Sequence, residues 1–131
     1  MARYDKYDSK LSGPRGFLAA DWLAADVNTV IGVGYDSSGR IVKGPGQTGV
    51  KGILILTRVI KAGREPVDPM KHGEVVEFDR QGPNAAAFAA APGTNYYVVT
   101  ATGVLTATAS GNKYIGHTVE AGRLIVEVTG P

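Results

Sequence analysis

The chain has 131 residues, 44% of them hydrophobic and 20% charged, a globular balance at a length that suits one domain with its own core. Fourteen Lys and Arg against twelve Asp and Glu give a formal charge of +2. The charges are interspersed, and no dense basic stripe marks a nucleic-acid surface. There is no Cys, which excludes a disulfide framework and a thiolate metal site and fits folding in a reducing cytoplasm.

Residues 1–16 form their own segment. Arg3, Lys6, Lys10 and Arg15 stand against Asp5 and Asp8, with Tyr4, Tyr7 and Leu11 between them and Gly13-Pro14 near the end. No period of two or 3.6 is sustained. Two readings stay open on the residues alone: a frayed terminus, or an arm that orders against a partner with tyrosines as anchors. Fully extended, the segment reaches roughly 50 Å. It carries no apolar stretch of signal-peptide type, and the apolar run Ile53-Leu-Ile-Leu56 is far too short for a bilayer, so a soluble intracellular protein is expected.

Between Phe17 and Asp26 the sequence Leu-Ala-Ala-Asp occurs twice, five residues apart. That step turns a helix by about 140°, so this is not a helical repeat. Asp21 is placed to cap a single turn over Trp22 to Ala25, and Trp22 reads as a core or domain-edge plug. From Val27 the period becomes two. Val27, Thr29, Ile31, Val33 and Tyr35 share one face; Gly32 and Gly34 lie on the other, where a second backbone could approach closely. Asp36-Ser-Ser-Gly39 is a hairpin turn into Arg40-Ile-Val-Lys43, and Gly44-Pro-Gly-Gln-Thr-Gly49 is a second loop. Gly52-Ile-Leu-Ile-Leu-Thr57 is apolar on both faces, as a central or barrel strand should be.

Lys61-Ala-Gly63 and Pro66-Val-Asp-Pro69 break the chain before a strand candidate, Gly73-Glu-Val-Val-Glu-Phe78. Gln81-Gly-Pro-Asn84 is a turn, and alanine-rich residues 85–91 fit a helical turn or extended chain equally. Strand candidates follow at 96–99, 104–108, 114–119 and 124–128, with Leu124, Val126 and Val128 on one face. Turn signals recurring every eight to twelve residues or so are those of a sandwich or barrel.

Reactive constellations are scarce. Gly44 to Lys51 lacks the Gly-Lys-Ser/Thr ending of a phosphate loop, and Gly32-Val-Gly34 lacks the third glycine of a dinucleotide fold. Asp68, His72 and Glu74 fit no metal-ligand spacing. His117, sharing a strand face with Ile115 and Val119 by simple alternation, reads as a satisfied interior or interface histidine. Glu74 and Glu77 point to opposite faces, and Asp21 and Asp26 diverge, so neither pair is an acid/base couple. An aromatic nucleic-acid platform of Tyr96, Tyr97 and Tyr114 lacks flanking cations, and the two adjacent tyrosines face opposite ways. The residues point to no catalytic, cofactor-binding or metal site.

Two blocks carry a family resemblance. The first runs through Ala20-Asp-Trp22, Asn28-Thr-Val-Ile-Gly-Val-Gly34, Gly39-Arg-Ile-Val-Lys-Gly44, Gly52-Ile-Leu-Ile-Leu-Thr57, Lys61-Ala-Gly63, Val67-Asp68 and Met70-Lys-His-Gly-Glu-Val-Val-Glu-Phe78. The second comprises Ala91-Pro-Gly-Thr-Asn-Tyr96, Gly103-Val-Leu105, Tyr114-Ile-Gly-His-Thr-Val-Glu120 and Arg123-Leu-Ile-Val126. In order and spacing, residues 17–129 resemble the capsid decoration (cement, head-stabilising) proteins of tailed phages, especially those of actinobacterial hosts.

The resemblance implies an all-β protein, a small β-barrel or β-tulip-like domain over residues 17–131 with an extended N-terminal arm over residues 1–16. It implies a homotrimer on the outer capsid surface at local three-fold sites, made in the host cytoplasm. The implied partner is the major capsid protein, with no cofactor, nucleic acid or membrane. Arg3, Tyr4, Lys6, Tyr7, Lys10, Leu11, Arg15, Phe17 and Trp22 are the expected interface residues. The rival readings are another virion β module, from the tail or head-completion machinery, and a small nucleic-acid-binding barrel.

Overall fold

The computed structural model describes residues 16–77, 88 and 91–129. Ten strands are described: β1 (Gly16–Phe17), β2 (Ile31–Tyr35), β3 (Ile41–Lys43), β4 (Gly52–Leu54), β5 (Pro66–Val67), β6 (Val75–Glu77), β7 (Asn95–Val98), β8 (Leu105–Thr106), β9 (Lys113–Glu120) and β10 (Arg123–Val126). One 3-10 turn covers Ala24–Asp26. The all-β expectation is met, in the form of three sheets rather than one closed barrel: β1-β5, β3-β2-β4 and β6-β10-β9-β7-β8.

The three-stranded sheet is the middle layer, which explains why its sequence is apolar on both faces. Ile53 and Ile55 point into one core with Val76, Val98, Ile115, Leu124 and Val126 from the five-stranded sheet. Leu54, one residue out of phase, enters a second core with Leu18, Trp22, Ile31, Val33, Ile41, Ile60 and Val67. Successive side chains on a strand leave on opposite faces, so a strand between two cores must be apolar at every position. Truncating a side chain as enclosed as Ile53 costs about 2–5 kcal/mol in such cores.

The glycines of β2 allow the layers to come together. A Cβ on Gly32 would lie 2.3 Å from Val98 Cγ2, and one on Gly34 would lie 2.3 Å from Pro45 O and 2.6 Å from Gly49 O. The close approach expected of this face is therefore real: a side chain from the five-stranded sheet at Gly32, and backbone at Gly34. At the same place Gly32 N–H donates to Gly103 O (2.7 Å) and Ile31 bridges Val104. These contacts stitch the middle sheet to the edge of the five-stranded one.

Local signals account for most connections. Asp36 Oδ1 accepts from Ser38 N–H (2.8 Å) and Arg40 N–H (2.9 Å), closing the β2-β3 hairpin with Gly39 at φ +80°. The turn near Trp22 differs from expectation. It starts later, over Ala24–Asp26, and the Asp26 carboxylate accepts from Leu23 N–H (3.1 Å). Asp21 instead accepts from Ala62 N–H (2.8 Å), forty-one residues away, because pairing of Trp22 with Ile60 brings those segments together. Pro66-Val67, read as part of a break, forms β5; a proline without an N–H is tolerated in a two-residue pairing of this kind.

Alternation fails on β9 where it pairs with β7. Tyr96 pairs with Gly116 but Tyr97 with Tyr114, so Ile115 is an extra residue in a β-bulge. Ile115 and Gly116 both turn inward, while Tyr114 and His117, three apart, emerge on the outer face. His117 therefore does not share a face with Ile115.

Candidate functional site

The chain enters the described fold at β1, where Gly16 pairs with Val67 and Phe17 with Pro66. Partners directly opposite in an antiparallel pair share a face. Val67 is buried in the second core, so Phe17 and Pro66 are left outward, Phe17 with 44% of its surface exposed. A pocket of about 200 Å³ adjoins this pair, lined by Leu54, Leu56, Ile60, Val67 and Asp68 and flanked by Arg58 and Glu65. The guanidinium of Arg58 and the carboxylate of Glu65 form a two-pronged ion pair (2.7 and 2.5 Å). That pairing holds Glu65 below the usual carboxylate range, first through the hydrogen bond and then through charge. Exposed Val59 is part of the connection between β4 and β5 that supplies this pocket's walls.

Of the expected interface residues, Phe17 is thus displayed and Trp22 is not. Trp22 is 2% exposed, packed in the second core, with its indole N–H donating to Asp26 O (3.1 Å). Lys43 Nζ lies 5.1 Å from the Trp22 ring centre and 2.6 Å from Asp26 Oδ2, a cation held between an aromatic face and a carboxylate. Trp22 has the place of a core plug. Arg3, Tyr4, Lys6, Tyr7, Lys10, Leu11 and Arg15 lie outside the described residues, as do Gln81-Gly-Pro-Asn84 and all of the 85–91 stretch except Phe88 and Ala91.

The carboxylates and histidines weighed as catalysts are engaged elsewhere. His72 Nδ1 accepts from Val128 N–H (2.9 Å), Glu74 Oε1 accepts from Lys71 N–H (3.0 Å), and Asp68 acts on Tyr35. Burial first, and Asp68 second, push the Tyr35 phenol up to about 12. Among the described residues no group of three His, Asp or Glu is placed to hold a metal ion. The glycine loop at 44–49 turns its amides inward: Gly44 N–H donates to Gly32 O and Gln47 N–H to Tyr35 O.

A polar cluster that simple alternation concealed lies on the outer face of the five-stranded sheet. Tyr114 Oη donates to Glu127 Oε1 (2.5 Å), and His117 Nδ1 lies 2.7 Å from the same oxygen. Tyr97 packs edge-on against Tyr114, ring centres 5.8 Å apart. These hydrogen bonds hold the Glu127 carboxyl below its ordinary range, Tyr114 contributing most and His117 next. Burial, then the bond to Glu127, pushes the Tyr114 phenol up to about 12. The only sequence signal was the tetrad Tyr114-Ile-Gly-His117, whose glycine fits a bulge.

Neither a protein-family model nor a curated protein matches this chain. A solved structure from Mycobacterium phage Patience superposes on it with a TM-score of 0.69, covering 98% of this chain and 96% of that one at 23% identity. The chain has the fold of a mycobacteriophage protein. The likeness spans nearly the full length of both, so it concerns the layered assembly of sheets rather than one shared motif. Among the described residues no helix is long and apolar enough to cross a membrane.

Proposed function

We propose that this protein is a capsid decoration protein, a non-catalytic virion component that binds the outer surface of the expanded head as a homotrimer at local three-fold sites. The observation that carries this reading is the near full-length likeness to a mycobacteriophage protein. It is joined by the sequence resemblance over residues 17–129. The outward Phe17, at the point where the basic, tyrosine-bearing N-terminal segment meets the sheets, supports a contact there.

Cementing needs no chemistry beyond differential binding. A ligand that binds only the expanded lattice stabilises it by RT ln(1 + [L]/Kd), about 2.7 kcal/mol at a hundredfold excess over Kd. Linking three copies makes the second and third contacts intramolecular and raises avidity without new contacts. Tyr4, Tyr7 and Phe17 supply apolar anchors and Arg3, Lys6, Lys10 and Arg15 supply charge.

Deleting residues 1–15 tests this reading. The expected result is an unchanged β-sheet circular-dichroism spectrum together with weaker retention on heads, by about tenfold or more, and less salt sensitivity than the full chain. A folded truncated chain that occupies heads as fully as the intact one would remove the arm from the interface. Counting copies per virion by quantitative mass spectrometry separates decoration, at hundreds of copies, from a tail or head-completion component, at about a dozen or fewer by analogy with such assemblies.

A further inference from the structure

The outer face of the five-stranded sheet carries an aromatic-carboxylate cluster in which no described Lys or Arg pairs with the Glu127 carboxylate. Three carboxylates on that face are Glu77, Glu120 and Glu127. The first two are held by Arg123, at 3.2 and 2.5 Å. Among the described residues Glu127 is hydrogen-bonded by Tyr114 and His117, and both approach the same oxygen, Oε1. What lowers its carboxyl is those two hydrogen bonds, with the charges of His117 and His72 smaller; no Lys or Arg contributes. Among the described residues Oε2 has no hydrogen-bond partner.

The hydrogen-bond roles fix what the cluster offers. A carboxylate only accepts, so His117 Nδ1 carries the proton that faces Glu127. The second carboxylate oxygen, Glu127 Oε2, thus remains as an acceptor beside the paired rings of Tyr97 and Tyr114. The same molecule shows what such a combination takes. On its other side Lys43 lies over Trp22 and against Asp26, a cation filling an aromatic-carboxylate niche from within the chain. At Glu127 no described Lys or Arg does so; the basic neighbour at ion-pair distance is His117, on Oε1.

We propose that the Tyr97–Tyr114–His117–Glu127 cluster is a binding site for an arginine side chain of a partner protein. A guanidinium is planar, stacks on aromatic rings and presents several donors in a fixed fork, which suits a carboxylate beside tyrosine rings better than the point charge of an ammonium does. The bulge at Ile115 builds the site, because without it Tyr114 and His117 would leave the strand on opposite faces. This site is independent of whether the protein coats heads.

The test is an NMR titration of the full chain with an acetylated, amidated tri-arginine peptide. Saturable shifts confined to the Tyr97, Tyr114 and His117 rings are expected, with affinity reduced roughly tenfold in Glu127→Gln and retained in Glu65→Gln, which removes the same charge elsewhere. Tri-lysine should bind more weakly. Equal losses in the two variants, or shifts spread over the whole surface, would reduce the interaction to general electrostatics and overturn the proposal. So would unchanged binding by a Glu127→Gln protein that melts like the parent. Tyr97→Leu provides a second reading: it keeps every charge, and full affinity in that variant would also count against the site.

Discussion

At the residue scale, two glycines on one strand make the same demand for different reasons, and substitution separates them. At Gly32 the obstacle is the side chain of Val98, itself wholly buried and branched at Cβ, so it has little freedom to move aside. Gly32→Ala should destabilise by about 1–3 kcal/mol in urea denaturation, and adding Val98→Ala should recover part of that loss as a measurable coupling. At Gly34 the obstacles are two carbonyl oxygens of the 45–49 loop. No side-chain truncation relieves those, so Gly34→Ala should cost more and resist rescue. Tyrosine ionisation gives a further check. Tyr35 and Tyr114, each pushed up to about 12, stay neutral in the fold after an unfolded chain would have lost their protons. Their contribution to stability is therefore complete below about pH 10 and declines as pH rises towards 12. Ultraviolet difference titration should show two late-ionising tyrosines, one absent in Tyr35→Phe and the other in Tyr114→Phe. Glu127→Gln should move the Tyr114 step downward, since the carboxylate opposes its ionisation.

At the element scale, the sequence was readable wherever one physical cause acted alone. The Asp36-Ser-Ser-Gly39 hairpin, the doubly apolar β4 and the inward Leu124 and Val126 followed from turn chemistry or period two, and the structure has them all. Tyr96 and Tyr97 do face opposite ways, Tyr96 packing on the first core and Tyr97 on Tyr114. The misreadings came where a distant partner decided a local matter. Asp21 caps no turn because Ala62 N–H takes its carboxylate, and Pro66 joins a strand because Phe17 lies opposite. The outer cluster escaped notice because a bulge resets alternation, and its position depends on the register between β7 and β9. Removing that register has a cost that can be read. Gly116, adjacent to the bulge, would place a Cβ 2.0 Å from Ile125 O. Gly116→Ala should therefore loosen β9 from β10, seen as faster amide exchange across both strands relative to β2 and β4.

At the scale of the whole molecule, the three described sheets enclose two cores. The middle sheet welds the β1-β5 end, where Phe17 is displayed, to the five-stranded sheet with its tyrosine-carboxylate face. In the proposed decoration role, two separate faces on one body would bridge neighbours in a lattice. Such binding stabilises only the state that presents all the contacts together. The most direct test of this account is cosedimentation of the purified protein with expanded, undecorated phage heads, counting bound copies. Saturable binding at hundreds of copies per head, with a rise in the temperature at which heads rupture, is the predicted result. A folded protein that leaves the heads bare at saturating concentration would contradict it.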